Sequence, residues 1–417
     1  MGDISALGEH RRLPYCSHSW NGVLVLPITI GTENLDVLCD SAFEIPKVRQ
    51  AGDFGAYLGV QLRHFFDQTA QLDGRLADRL AERAYWMHEW SSTLEAAVDC
   101  TRQGRHYRAW QLMEDILDEH LGTLKIMSLR HAYRVVGSRS WYRLTTWSEA
   151  KTRRDVFHLP FEKKAASYRF SPPGRPAIYL GNNVYGCWLE CQGPLLESCR
   201  VARFEIDMRG DEYFLDLPAN HASYLDPLTV AAGLDGVVQI DYGKFMNSPH
   251  LDDVEGELVD YLSLWPLLMA STVQKLQPAP TDPPEYLIPQ LLMRWVLKQK
   301  DMLGIRYFTS KFDKATNSND LSINVVLPTR TMNKSDGFCE FLVDRVRCTP
   351  PQSFDEAGSP DGETLFTEGA ADLRQAAGGR YMINWEGSLQ HYQHTPFGRM
   401  EYCLDRPEVA VARIDAA

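Results

Sequence analysis

A rigid turn that passes directly into a strand and then a helix constrains the fold of this chain most. Pro172, Pro173 and Gly174 form the turn, because proline fixes φ and glycine accepts backbone conformations closed to other residues. The apolar run at 177–181 that follows predicts a short strand. Apolar residues then recur at helical spacing over 183–197 and predict a helix. A chain that mixes strands and helices in this way is expected to fold as an α+β protein.

Other short apolar runs extend the strand-rich part of the chain. Runs bounded by turn-forming residues at 140–144, 201–206, 304–308 and 338–346 each predict a strand. A helical pattern over 286–300 precedes the third of them. We therefore predict a sheet with helices on its flanks.

The chain of 417 residues is too long for one ordinary hydrophobic core, so we predict several packed units. From Phe54 to about Leu129 glycine and proline are scarce, and apolar residues recur at the spacing of a helix. The predicted units are a small N-terminal cap at 1–53, a helical module at 54–135, an α+β domain at 136–334 with an insertion at about 208–284, and a C-terminal extension at 335–417 packed on the core.

The charge balance disfavours a nucleic-acid partner. The formal net charge is -12, and no run of five or more Lys or Arg residues interrupts this acidity. A surface of that sign repels the phosphate backbone. We expect a protein that does not bind nucleic acid.

Targeting and cysteine patterns favour the cytoplasm. The N-terminus lacks a basic segment followed by a hydrophobic one. The longest apolar stretch, 261–270, contains Pro266 and is about half the ~20 residues of a membrane-spanning helix. Nine scattered cysteines fit a reducing compartment with free thiols, and the close pair Cys187 and Cys191 lacks the second pair that a zinc site needs. We expect a cytoplasmic protein with no membrane segment and no metal.

Four polar residues occur in an order that resembles the RES-domain family. Members of that family share an arginine on the first strand, a Pro-Pro-Gly turn leading to a Leu-Tyr strand, a helical glutamate and a late serine. Arg143, Tyr179, Glu190 and Ser310 match these positions in turn. The resemblance covers the chain from about residue 139 to 330. This chain departs from the family in having Ser171 where asparagine is commoner before the turn, and in its insertion.

Outside that region the resemblance is looser. The helical module is similar to the N-terminal domain of longer family members, and Thr395–Gly398 with Glu401 looks like their tail. The resemblance implies a fold like that of the ADP-ribosyltransferases, a split mixed β-sheet with flanking helices and NAD in the central cleft. NAD+ would then be a substrate, and no cofactor is expected. Members often act as bacterial toxins or antiviral defence effectors that deplete NAD, so an inhibitory antitoxin or an activating protein is an expected partner.

The matched residues suit cleavage of the nicotinamide–ribose bond. Breaking that bond develops positive charge on the sugar, which a fixed carboxylate such as Glu190 stabilises. Arg143 offers a planar fork of donors for a pyrophosphate. Tyr179 can stack on nicotinamide, Ser310 can hydrogen-bond an amide or ribose oxygen, and Arg169 beside the turn can supply a second phosphate contact. Each residue taken alone also has a purely structural interpretation.

Other functions remain open on the sequence. The acceptor of the ADP-ribose could be water, phosphate or a protein, which distinguishes a glycohydrolase, a phosphorylase and a mono-ADP-ribosyltransferase. Arg83 and His88 have the spacing found in HEPN-type ribonucleases, so an RNA-cleaving or interaction module is a further alternative. No Gly-rich dinucleotide or P-loop motif is present, which disfavours redox use of NAD. The 10 Trp and 18 Tyr residues leave apolar surface for a homodimer.

Overall fold

The structure is a computed structural model, and the predicted α+β class is confirmed. It describes residues 24–27, 34, 37–38, 40–134, 140–217, 237–240, 254–276, 282–309, 323–331, 337–355 and 382–414. Helices predominate before residue 135, and a mixed sheet dominates the part that follows. The predicted N-terminal helical region and mixed sheet are therefore both present.

The N-terminal helical region is built from amphipathic helices. They are α1 Phe54–Thr69, α2 Gly74–Ala81, α3 Ala84–Arg102, α4 His106–Glu119 and α5 Leu121–Arg134. Their buried residues recur at intervals of three and four, as in Met87, Trp90, Leu94 and Val98 of α3. Each helix thus presents one apolar face to a common interior.

The sheet has eight strands and mixed direction. Its strands are β2 Trp141–Thr145, β3 Ala177–Gly181, β4 Arg200–Ile206, β5 Tyr213–Leu217, β7 Met302–Phe308, β8 Ile323–Pro328, β9 Val346–Cys348 and β10 Gln352–Ser353. Their order is β10-β4-β2-β3-β8-β7-β5, and β9 also pairs with β4. The β5–β7 pair is parallel and the others are antiparallel. Two further antiparallel pairs join β1 Leu24–Pro27 to β6 Val237–Ile240, which are distant in the sequence, and β11 Met382–Trp385 to β12 Ser388–His391, which form a hairpin.

Further helices occur between and after the strands of the sheet. They are α6 Val184–Glu190, α7 Val254–Thr272, α8 Leu287–Val296, α9 Glu340–Arg345 and α10 Pro396–Leu404, with short 3₁₀ turns at Arg153–Val156, Leu196–Ser198, Pro284–Tyr286 and Tyr392–His394. The apolar stretch at 261–270 lies inside α7 and is buried. None of the helices within the described ranges has the length and apolar character to cross a membrane.

Two elements differ from the sequence-based prediction. The helix predicted over 183–197 ends at Glu190, because Gln192 and Gly193 adopt positive φ values of 68° and 65°. The strand predicted over 338–346 was wrong for most of its length, since Glu340–Arg345 is helical and the strand begins only at Val346. Within this helix only Leu342 is buried, whereas an alternating strand would bury Glu340 and Asp344 on the same face as Leu342.

One continuous core joins the helical region to the sheet. Buried side chains of α1 to α5 pack with those of α7 and α8 and with one face of β5, β7 and β8. Ile178 and Leu180 of β3 lie in a second cluster on the other face, together with Phe204 and Leu342. The predicted domain boundaries stay a prediction, because burial alone does not test them.

Candidate functional site

The sheet is split between β2 and β3. These neighbours share a single pair, Tyr142 with Gly181, whereas β2 pairs with β4, and β3 with β8, through five residue pairs each. The two strands therefore separate beyond that point. The separation leaves the backbone groups on one edge of β2 without a strand partner.

Two thiols of the α6 region take the place of the missing strand. Cys187 donates to the Tyr142 carbonyl at 3.2 Å, and Cys191 to the Leu144 carbonyl at 3.9 Å. Gly181 permits this approach, since a Cβ there would lie 2.8 Å from the Cys187 sulfur. Burial raises the pKa of Cys191 to about 11, so it remains a thiol and keeps its proton for the carbonyl.

Arg143 projects from β2 beside the split. Its Nη1 atom is buried and has no hydrogen-bond partner in the part of the chain that the structure describes. Burial lowers the pKa of Arg143, and the neighbouring groups that oppose this effect are Cys191, Tyr168, Cys187 and Cys348 rather than carboxylates. The side chain is a half-buried cation with one buried, unused donor, which is suited to an anion or a carbonyl oxygen.

Glu190 ends α6 with an exposed side chain. Its Oε1 accepts hydrogen bonds from the Thr309 hydroxyl and from Asn324 Nδ2, the latter at 3.1 Å. Thr309 and Asn324 are themselves buried, at the end of β7 and the start of β8. One carboxylate oxygen is therefore fixed by the sheet, while the side chain stays open to solvent.

Tyr179 lies at the centre of β3 with its hydroxyl already engaged. The hydroxyl accepts from the Phe170 N–H at 3.2 Å and shares a hydrogen bond of 2.9 Å with Ser171. Burial raises its pKa well above the ordinary value. Its ring lies 5.8 Å from that of Tyr168, which is half exposed. The hydroxyl secures the segment before the Pro-Pro-Gly turn, and the ring remains the part that can face a ligand.

Arg169 caps a helix. Its Nη1 donates to the carbonyls of Ser271 and Val273, at 3.1 and 2.9 Å, where α7 ends. The guanidinium also lies 5.5 Å from the Tyr286 ring. A cation at the C-terminal end of a helix is stabilising, so this arrangement gives Arg169 a structural role. The phosphate contact expected of Arg169 stays a prediction.

Ser310 lies outside the described residues, but its neighbours lie at the site. Thr309 contacts Glu190, and Tyr307 on β7 is the cross-strand partner of Asn324 on β8. Burial raises the pKa of Tyr307 well above the ordinary value, and the charge of Glu190 adds to this effect. Sequence reasoning missed Thr309, Asn324 and Tyr307 as site residues. Their positions could have indicated them, since all three residues lie where β7 ends or β8 begins.

Arg83 and His88 each contact a different group in the structure. The Arg83 guanidinium lies 4.3 Å from the Trp86 ring and 3.9 Å from Asp260. The exposed His88 stacks on Phe66 at 4.2 Å. Each side chain therefore has a separate partner. Within the described ranges no group of three or more His, Cys, Asp or Glu residues is arranged to hold a metal ion.

Comparisons with known proteins give a distant likeness to a toxin. The chain is 27% identical over 275 residues to a protein of Bacillus subtilis (strain 168) named "Putative toxin YopC". The match covers 63% of this chain and 55% of the relative, so the chain spans about half the length of the curated relative it matches. No family model matches the chain. No solved structure matches it.

Proposed function

We propose that this chain cleaves NAD+ at the bond between nicotinamide and ribose. The observation that carries the proposal is the carboxylate of Glu190, fixed through one oxygen by Thr309 and Asn324 and open to solvent. The buried, unpartnered Nη1 donor of Arg143 supports it, since this side chain lies beside the split of the same sheet. The resemblance of the motif residues to the RES-domain family supplies the substrate.

Glu190 acts on the charge that develops during bond breaking. As the bond lengthens, nicotinamide departs as a neutral molecule and positive charge gathers on the ribose ring. A carboxylate held in place before the reaction stabilises that charge without reorganising. Oε1 is held by Thr309 and Asn324, which leaves Oε2 to face the sugar. Water then adds to the ribose carbon and releases one proton, so that NAD+ and water yield nicotinamide, ADP-ribose and a proton.

Arg143 and Tyr179 bind and orient the substrate in this proposal. The free Nη1 donor of Arg143 takes an oxygen of the pyrophosphate or of the nicotinamide amide. The Tyr179 ring lies against the nicotinamide, because its hydroxyl is already engaged by Phe170 and Ser171. Ser310, which directly follows Thr309, supplies a hydroxyl to an amide or ribose oxygen.

The biological role that we propose is that of a toxin or antiviral effector that depletes NAD. The distant relative named as a toxin supports this role. A protein with such an activity needs to be restrained in its host, so an inhibitory antitoxin is the proposed partner.

The test is release of nicotinamide by purified protein, comparing the native chain with Glu190→Gln. We expect the variant to lose about 100- to 1,000-fold in rate, the usual loss when one charge-stabilising group is removed. Glu197→Gln is the matched control, since Glu197 is exposed and lies seven residues further along. Equal rates for Glu190→Gln and the native chain would overturn the assignment of Glu190.

The same assay identifies the acceptor. Formation of free ADP-ribose in the absence of phosphate indicates a glycohydrolase, and a requirement for phosphate indicates a phosphorylase. Transfer of label from NAD to lysate proteins would favour a mono-ADP-ribosyltransferase instead. The exposure of Glu190 is compatible with an acceptor that approaches from solvent.

A further inference from the structure

The C-terminal segment, residues 382–414, binds the first amide groups of α6. The Val184 N–H donates to Glu401 Oε1 at 2.7 Å, and the Tyr185 N–H donates to the Tyr392 hydroxyl at 3.3 Å. The first N–H groups of a helix have no partner within the helix, and a helix of seven residues is too short to be stable alone. The segment therefore supplies partners that α6 cannot provide for itself.

Tyr392 and Glu401 of the C-terminal segment are also hydrogen-bonded to each other. The Tyr392 hydroxyl donates to the same Glu401 oxygen that receives the Val184 N–H. Burial and the charge of Glu401 raise the pKa of Tyr392 well above the ordinary value, so the hydroxyl keeps its proton and remains a donor. The Tyr392 hydroxyl therefore holds in place the Glu401 oxygen that accepts the Val184 N–H.

Aromatic packing joins the same two elements. Phe397 of α10 is fully buried, and its ring centroid lies 5.1 Å from Tyr185, 5.3 Å from Trp188 and 4.8 Å from Trp385. Tyr185 and Trp188 are residues of α6. This aromatic packing therefore fixes the face of α6 that bears Tyr185 and Trp188.

The segment also holds the strand that carries Arg143. The Tyr142 hydroxyl donates to Asp405 at 2.8 Å, and Arg203 of β4 lies 3.6 Å from the other oxygen of that carboxylate. Arg203 also donates to the Val409 carbonyl at 3.2 Å. Both elements that present charged groups at the split are therefore bound by residues 382–414.

We propose that Tyr392 and Glu401 are positioning residues, which hold the start of α6 so that Glu190 at its end meets Thr309 and Asn324. The assignment of a catalytic consequence rests on the proposed function. The structural part, that Tyr392 and Glu401 fix α6, is independent of any activity.

Hydrogen exchange tests the structural part in the full-length protein. We expect Glu401→Ala to speed amide exchange in a peptide spanning 180–191 by about tenfold or more, with peptides of α3 unchanged. Glu401→Gln is expected to restore most of the protection, because its amide oxygen still accepts from Val184. Glu408→Gln is the matched control, since Glu408 is exposed on the same segment. Tyr392→Phe provides a second, milder variant if Glu401→Ala does not fold.

Kinetics test the catalytic consequence. We expect Glu401→Ala to lower kcat for nicotinamide release by about 10- to 100-fold, because small misplacements of a reacting group have effects of that size. The Kd for NAD+, measured with the same protein, should stay within about twofold. Partial recovery of kcat with Glu401→Gln would mark positioning rather than charge as the role of Glu401.

The outcomes separate the two proposals. Unchanged exchange at 180–191 in both Glu401→Ala and Tyr392→Phe would overturn the positioning role, and so would faster exchange with unchanged kcat. If the native chain releases no nicotinamide, the proposed function fails. The exchange result then still decides whether the segment fixes α6.

Discussion

At the scale of single residues, Arg143 combines the binding role that we propose for it with a cost in stability. Its Nη1 atom is buried and unpartnered, and leaving a polar group in that state costs about 1–3 kcal/mol. We expect Arg143→Met to raise the free energy of unfolding by about 1 kcal/mol or more, while NAD+ binding weakens at least tenfold. Urea denaturation and calorimetric titration measure the two effects.

Arg347→Met is the control for Arg143, because Arg347 is exposed on β9. Its effect on stability should stay within about 0.5 kcal/mol. A strong loss of stability in Arg143→Met would contradict the interpretation of Arg143 as an uncompensated charge.

His120 makes stability depend on pH. It is 4% exposed between the rings of Trp86 and Trp90, and burial lowers its pKa below the ordinary 6.5, against the opposing charges of Glu119 and Glu89. As pH falls through about 6.5 the unfolded chain binds a proton that the folded chain does not. The stability contribution is therefore complete above pH 6.5 and is lost as pH falls below it.

We expect His120→Phe to remove part of the loss in stability between about pH 7.5 and 5.5. Phenylalanine keeps the aromatic packing and cannot bind a proton. Thermal or urea unfolding at the two pH values measures the difference, with His106→Phe as the control at an exposed position. Identical pH dependence in His120→Phe and the native chain would contradict the lowered pKa.

Some residue roles could not be predicted because their partners are distant in the chain. Arg169 donates to the carbonyls of Ser271 and Val273, about one hundred positions later in the chain. The sequence around Arg169 does not indicate that it will lie at the end of that helix. The role of Asn324 likewise depends on β8 lying next to β3. Residue type shows what a side chain can bind, and the fold decides what lies within its reach.

At the scale of elements, the contact between β7 and β8 leaves no room for a side chain at Gly304. A Cβ there would lie 2.0 Å from the Val326 carbonyl oxygen. We expect Gly304→Ala to lower the free energy of unfolding by about 1–3 kcal/mol or more, because the strands must separate. Gly122→Ala in α5 is the control, since nothing lies within 4 Å of a Cβ there, and it should stabilise by up to about 1 kcal/mol. Urea denaturation measures both, and a neutral Gly304→Ala would contradict the close approach.

Local patterns predicted several of the elements and failed where the spacing of apolar residues fits both a strand and a helix. The strands at β2, β3 and β4 and the N-terminal helices follow their spacing of apolar residues closely. The apolar residues of the run at 338–346 fit both a strand and a helix, and the structure places Glu340–Arg345 in a helix that buries Leu342 alone. The end of α6 at Glu190 depends on the positive φ of Gln192, which the sequence does not announce.

At the scale of the whole molecule, a buried ion pair joins the two ends of a long stretch of chain. Arg49 Nη2 lies 2.6 Å from Glu285 Oε1, and the side chains are 3% and 0% exposed. Removing one partner of such a pair leaves a buried charge and costs about 3–5 kcal/mol. We expect Arg49→Met and Glu285→Gln each to lower the free energy of unfolding by about that amount.

The combination of Arg49→Met with Glu285→Leu should recover much of the loss, because no unpaired charge remains buried. A double-mutant cycle in urea, with Glu285→Leu measured alone as well, gives the coupling between the two side chains. If the losses in free energy of unfolding are additive, the two side chains act independently, and the hydrophobic core joins the two parts of the chain without this ion pair.

The two thiols at the split between β2 and β3 have a consequence for the evolution of the sequence. Cys187 and Cys191 bond the carbonyls of Tyr142 and Leu144, which a continuous sheet would pair with its next strand. Selection can therefore retain these cysteines without any redox chemistry, because loss of a thiol donor would leave a carbonyl of β2 without a hydrogen bond. Lineages that retain the open sheet should accept serine or threonine at these positions and reject alanine and valine, whereas lineages that close the sheet should be free to lose both.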